Sequence, residues 1–192
     1  MFDVLRNHIE KKVSLTDDEF AQASALFTIR KLKKKQFLLQ QGDVCRYESF
    51  VVTGCLKSYH TDDQGVDHVL RFSVEYHWAG DLDSFINKTP SSFNIEAMEP
   101  VTLLVIDEPS LDQLYQCVPK LETFFRLLNQ NALIATSQRV IKNLSIPASE
   151  RYHLFLQANP HLVQRIPLKD IASYLGITPV FLSKLRREKP GF

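Results

Sequence analysis

Ile166-Pro167-Leu168-Lys169-Asp170-Ile171-Ala172-Ser173-Tyr174-Leu175-Gly176-Ile177-Thr178-Pro179-Val180-Phe181-Leu182-Ser183-Lys184-Leu185-Arg186-Arg187-Glu188 reads as two short helices around a tight turn. Ile171, Ala172 and Leu175 make one inner face, and the small Ala172 lets a second helix cross closely. Gly176 supplies the backbone freedom that a helix end needs at a sharp turn. Thr178 suits an N-cap and Pro179 the first helical position. Leu182 and Leu185 then point back at the first helix. This pattern predicts a helix-turn-helix. Between Arg165 and Phe192 there are six Lys or Arg against two Asp or Glu, a local charge of +4. The basic residues gather on the second helix, which a major groove would accept with its N-terminal residues at base edges.

Upstream, helical periodicity runs from Pro119 to about Ser145. Leu121, Phe124, Phe125, Leu128, Ala132 and Ala135 form one stripe, and Leu127, Ile134 and Ile141 another. Together they are too wide for a narrow coiled-coil seam. Periodicity leaves two readings open: burial within one subunit, or pairing with a second copy. Ile146-Pro147 is a break, and a helix carrying Tyr152, Phe155 and Leu156 follows.

From about residue 29 to 107 the texture is that of short strands. Phe37-Leu38-Leu39, Phe50-Val51-Val52, Leu56–Tyr59, His68–Phe72 and Thr102–Ile106 are separated by Gly42-Asp43, Gly54 and Asp62–Gly65. Such spacing predicts a sandwich or barrel. Before it, Phe2, Leu5 and Ile9 share a helical face, and a second helix starts where Thr16 and Glu19 form a capping box.

With 192 residues, 44% hydrophobic and 23% charged, the chain has a globular composition and enough length for a packed core. No apolar run approaches the ~18 residues of a membrane span, and the N-terminus lacks the apolar core of a signal peptide. Cys45, Cys55 and Cys117 are odd in number and contain no CxxC, so a reducing, cytoplasmic setting is expected, with Cys55 and Cys117 as small buried hydrophobes. His60, His68 and His77 are singletons without the His-x-His of a metal-dependent cupin enzyme. No nucleophile and base stand in a recognisable motif, so no enzyme activity, metal or resident cofactor is expected. Arg30-Lys31-Leu32-Lys33-Lys34-Lys35 is read as a solvated strand edge.

The chain resembles the CRP/FNR family of transcription regulators, that of the cAMP receptor protein. The likeness is carried by QQGDVCRYESFVVTGCLKSYHTDDQG (residues 40–65), with glycines at the expected turns, and by IASYLGITPVFLSKLRRE (residues 171–188), whose wording is most like regulators of Bacteroidetes-type bacteria. The resemblance implies an α+β chain in three parts. Residues 1–118 would form a jelly-roll, or double-stranded β-helix, of cyclic-nucleotide-binding-like type with N-terminal helices. Residues 119–145 would be a long dimerisation helix pairing through Leu121, Phe125, Leu128, Ala132 and Ala135. Residues 146–192 would be a winged-helix-like helix-turn-helix. Its C-terminal wing is expected to be short or missing, because Phe192 follows the second helix closely, with a strand remnant near Gln164–Pro167.

The same resemblance implies an effector pocket at Trp78, Gly80, Asp81, Leu82, Ser91 and Ser92, joined by Thr136 and Ser137 from the long helix. Trp78 either lines that pocket or plugs it. The family's loop begins Gly-Glu-Leu and later carries Arg-Ser. Here the start is Gly80-Asp81-Leu82, and Ser91-Ser92 stands where Arg-Ser belongs. A serine hydroxyl cannot replace the cation that neutralises a cyclic phosphate, so tight cAMP binding is not expected, and two readings stay open: the cavity takes another, unidentified small-molecule effector, or it takes none. The DNA-binding positions carry over to Thr178, Pro179, Val180, Ser183, Lys184, Arg186 and Arg187. Pro179 and Val180 cannot hydrogen-bond a base edge through their side chains, although Val180 can touch a thymine methyl. Expected partners are a pseudo-palindromic double-stranded DNA, a second copy of the chain and RNA polymerase, with no membrane. The alternative is a ligand-binding module that acts through a protein partner instead of DNA.

Overall fold

The computed structural model describes residues 1–187. Two helices lead into the sandwich, α1 (Phe2–Ile9) and α2 (Asp17–Ala25). The α2 N-terminus is closed by the reciprocal hydrogen bonds of Thr16 and Glu19. Eight strands follow: β1 (Thr28–Leu32), β2 (Phe37–Leu39), β3 (Tyr47–Thr53), β4 (Leu56–Thr61), β5 (Asp67–Ser73), β6 (Trp78–Ala79), β7 (Asn94–Ala97) and β8 (Val101–Asp107), with the short helix α3 (Leu82–Asn87) between β6 and β7. One antiparallel sheet has the order β1-β8-β3-β6 and the other β2-β7-β4-β5. That interleaving of eight strands is the jelly roll. α4 (Glu108–Cys117), α5 (Lys120–Ser145), α6 (Ala148–Ala158), α7 (Leu168–Leu175) and α8 (Pro179–Arg187) complete the chain.

The main core lies between the sheets and extends under α1, α2, α4 and the first turns of α5. Trp78 belongs to it. Its ring packs against Phe27, Phe50, Phe124 and Phe125 with centroids 4.9–6.4 Å apart. Of the two readings open for Trp78, the structure gives neither a pocket wall nor a loose plug: the indole pins α5 to the roll. Leu121 and Phe125 are drawn into the same core, which corrects their assignment to a dimer interface. Leu128 packs partly against the core, while Ala132 and Ala135 are exposed. Beyond Leu128 the apolar residues of α5 face outward, with Leu133 68%, Ile141 61% and Leu144 84% exposed.

A second core joins α6, α7 and α8 around Tyr152, Phe155, Ile171, Ala172, Leu175 and Leu182, with Cys55 of the roll inside it. Cys45 and Cys55 are buried, but Cys117 is exposed at the end of α4, contrary to expectation. Gln164–Pro167 lies in a turn rather than a strand remnant. It is tied down by Arg165, which pairs with Glu75 at 2.9 Å and also with Glu99. The expected end of the chain and its wing lie outside the described residues.

Gly54 closes the β3–β4 turn with a φ of +97°, and a Cβ there would stand 2.5 Å from the Pro100 carbonyl oxygen. Gly42 has a φ of +94° but nothing within 4 Å. Gly54→Ala is therefore expected to cost roughly 3 kcal/mol, by clash plus backbone strain. Gly42→Ala should cost only about 1–2 kcal/mol from the left-handed conformation. Urea unfolding of the two variants checks the difference.

Candidate functional site

The segment from Gly80 to Ser92 is held from several sides. Asp81 caps α3, accepting from the Ser84 amide at 3.3 Å, and its other oxygen accepts from the Ser91 hydroxyl at 2.7 Å. The Ser84 hydroxyl donates to the Thr89 carbonyl and accepts from the Cys45 amide. The turn at Gly42 and Asp43 clasps the Ser91 backbone by two bonds of 2.8 Å. Both Asp81 oxygens are thus occupied by the protein's own donors. Leu82 is exposed, as is Ser92, whose carbonyl faces His60 Nδ1 at 2.6 Å. Thr136 and Ser137 are exposed on α5, beyond Leu128, the last residue of that helix packed against the core of the roll.

Two charged residues that sequence reading missed stand beside Gly80. The Arg71 guanidinium, reaching in from β5, donates to the Gly80 carbonyl at 2.8 Å. Glu48 of β3 lies against the Gly80 α-carbon so closely that a Cβ there would be 2.8 Å from its Oε1. Burial pushes the Glu48 carboxyl up to about 7, with Arg71 opposing the shift and Asp81 adding to it. One arginine faces two acids, so this cluster is net negative when both acids are ionised.

A cavity of about 630 Å³ opens beside the loop, lined by Arg30, Phe37, Leu39, Arg46, Tyr47 and Gly80 among others. Of the residues expected to form an effector pocket, it meets only Gly80. His68 pairs with Asp62 at 2.7 Å, and His60 and His77 lie apart from it.

At the far end, Gly176 ends α7 in the left-handed conformation with a φ of +67°. Thr178 begins α8, its hydroxyl accepting from the Phe181 amide at 3.2 Å. Leu182 is fully buried and Leu185 half-buried against α7. Thr178, Pro179, Val180, Ser183, Lys184, Arg186 and Arg187 are all exposed; Val180, Ser183, Lys184 and Arg187 lie on the face away from Leu182, with Arg186 at its side. The arrangement presents one outward helix surface with three basic side chains in its last turns.

Residues 29–117 match the cyclic nucleotide-binding domain family. The regulatory protein HlyX of Actinobacillus pleuropneumoniae is 26% identical over 93% of this chain and 79% of its own length. The fumarate and nitrate reduction regulatory protein of Vibrio cholerae is 27% identical over 90% of this chain and 73% of its own. Among solved structures, the regulator CLP of Xanthomonas campestris superposes with a TM-score of 0.74 at 14% identity, covering 90% of this chain and 91% of that one. FixK2 of Bradyrhizobium japonicum gives 0.74 at 16% identity, covering 84% and 83%. At such identities the two structures speak for the fold.

The Glu48 carboxyl yields a pH prediction. Its folded pKa lies above the unfolded value of 4.5, so the folded state holds the proton longer and stability falls as pH rises from about 4.5 to about 7. Glu48→Gln removes the ionisation. It should abolish that fall and stabilise the protein at pH 8 relative to the parent by up to about 3 kcal/mol. Urea unfolding of both proteins across this range is the check.

Proposed function

We propose that the chain is a transcription regulator of the CRP/FNR type, acting as a homodimer that reads a two-fold-symmetric DNA site through α8. The observation that carries this reading is the division of α8 into two faces. Leu182 is buried in the second core, while Val180 is 81% exposed and Ser183, Lys184 and Arg187, three, four and seven residues on, share its outward side. Such a helix can lie in a major groove with Val180 against thymine methyls and the arginines on phosphates or guanines. α7 and α8 form the helix-turn-helix that presents it.

The second copy is supplied by α5. Leu133, Ile134, Val140, Ile141 and Leu144 are exposed apolar residues on a helix whose apolar side chains pack on the core of the roll only as far as Leu128. Pairing of two such helices buries them and replaces the interface first expected around Leu121 and Phe125. The two α8 helices then face successive major grooves about 34 Å apart.

The roll is the effector domain of this reading. The Glu48, Asp81 and Arg71 cluster argues against tight binding of a cyclic phosphate, because its net charge is of the wrong sign and Asp81 is already satisfied by Ser84 and Ser91. The effector, unidentified, works by shifting the balance between two arrangements of the dimer. A regulator of this kind acts in the cytoplasm, with RNA polymerase as its further partner and no catalytic step of its own. Among the described residues no helix is long and apolar enough to cross a membrane.

Selection of bound duplexes from a random DNA pool, with purified protein and no added ligand, is the test. An enriched pseudo-palindrome with half-site centres about 10 bp apart is expected. If no sequence is enriched, either alone or with cell extract supplying the effector, the DNA reading fails. The exposed Val180 and Phe181 would then belong to a protein-binding surface.

A further inference from the structure

The β4–β5 pairing slips by one residue in the middle of β5. Ser58 faces Arg71 and Tyr59 faces Val69, so Leu70 has no partner on β4 and forms a bulge. The bulge changes which way the strand's side chains point. Phe72, opposite Lys57, lies on the outer face of the sheet, where its ring packs on Tyr174 at 5.5 Å. Arg71 points into the roll and bonds the Gly80 carbonyl. With regular alternation Arg71 would share the face of Val69; the extra residue turns it inward.

The outer edge of β5 is covered by the C-terminal helices. The Ser173 hydroxyl of α7 accepts from the Val69 amide at 2.9 Å and donates to the Asp67 carbonyl at 2.7 Å. It takes the place that a neighbouring strand would fill on this edge. The carbonyl of Leu70 itself accepts from Arg139 of α5, whose guanidinium also lies 4.9 Å over the Tyr174 ring. Val69, Leu70 and Arg71 are consecutive. The first two are bonded to α7 and α5, and the third to the start of the loop at Gly80.

We propose that the bulge at Leu70 is a mechanical link between the Gly80–Ser92 loop and the α7–α8 pair. Arg71 is the positioning residue on the loop side, and Ser173 and Arg139 hold the helix side. The proposal rests on the regulator reading above for its purpose, since it names the route by which a change at the loop reaches the helix that reads DNA. A displacement of the Gly80 carbonyl pulls on Arg71, the bulge follows, and the bonds to Ser173 and Arg139 strain or break. By thermodynamic reciprocity, loosening α7 must also loosen the loop.

The test needs no DNA, so its outcome is independent of the duplex selection. Amide hydrogen exchange is followed residue by residue by NMR in the full protein, in Arg71→Gln, in Ser173→Ala and in the double variant. Arg71 makes no contact with α7 among the bonds described, yet Arg71→Gln is expected to speed exchange at Ile171, Ala172 and Leu175 by about tenfold. Ser173→Ala should in turn speed exchange at Ser84 and Phe85. The amides of α1 and α2, far from β5, should be unchanged in both. Changes confined to the loop in one variant and to α7 in the other would overturn the proposal. If a variant loosens α1 and α2 as well, the double variant decides. A combined effect on α7 smaller than the sum of the two supports a shared link, and strict additivity overturns it.

Discussion

Lys57 on β4 and Asp170 on α7 stand 113 residues apart in the chain and 3.2 Å apart in the fold, each side chain 8% exposed. An ion pair removed from water gains little net stability, but stranding either partner costs about 3–5 kcal/mol. The pair is therefore a constraint on arrangement. It holds α7 against the outer face of the sheet where the aspartate meets the ammonium, which also lies 4.0 Å from Asp67 of β5. Around it, the Lys57 ammonium lies 4.2 Å over the Tyr59 ring, and the Tyr59 hydroxyl donates to Glu96 at 3.1 Å. The polar seam is closed on both sides.

Much of the remaining architecture follows from where that seam puts α7. Ser173, one turn along the helix, reaches the open edge of β5, and Tyr174 stacks between Phe72 and Phe155. Ile171, Ala172 and Leu175 then face α6 and α8, so Leu182 is buried and the basic side of α8 is turned to solvent. The Arg165 bonds to Glu75 and Glu99 tie the preceding turn to the same face of the roll. The helix proposed to read DNA is in this way mounted on the roll through side chains and one strand edge. The long α5 carries the exposed apolar residues that the proposal assigns to pairing with a second copy.

The elements governed by local rules were readable from the chain. The Thr16–Glu19 capping box, the positive-φ glycines at residues 42, 54 and 65, and the Gly176-Ile177-Thr178-Pro179 turn all act within a few residues, and each has the predicted conformation. Five of the eight strands were legible as apolar runs whose spacing pointed to a sandwich or barrel; β1, β6 and β7 lie outside those runs, and the jelly roll was implied by the family resemblance. The interior of the candidate site was not. Arg71 sits in a strand-like run, and ordinary alternation assigns it to the same face as Val69; only the bulge turns it inward, and no local residue signals a bulge. Glu48 is a charge flanked by Tyr47 and Ser49, with nothing nearby to announce burial. Trp78 stood beside the right glycine, but its partners Phe27, Phe124 and Phe125 lie 46 or more residues away in sequence. The stripe on α5 misled for a related reason. Periodicity reports that Leu121 and Phe125 are buried, and is silent on whether their own roll or another subunit buries them.

The account turns on two α8 helices being presented together, one from each subunit of a dimer joined along α5. The distance between nitroxide labels at position 180 of the two subunits measures this directly. The protein would carry Val180→Cys and Cys117→Ser, since Cys45 and Cys55 are buried and Cys117 is the exposed native thiol. Electron–electron dipolar spectroscopy with the selected duplex bound should give a single narrow distribution centred near 34 Å, the separation of successive major grooves. A protein that shows no dipolar coupling, or a distribution that stays broad and distant on DNA, would contradict the dimeric reading of the fold.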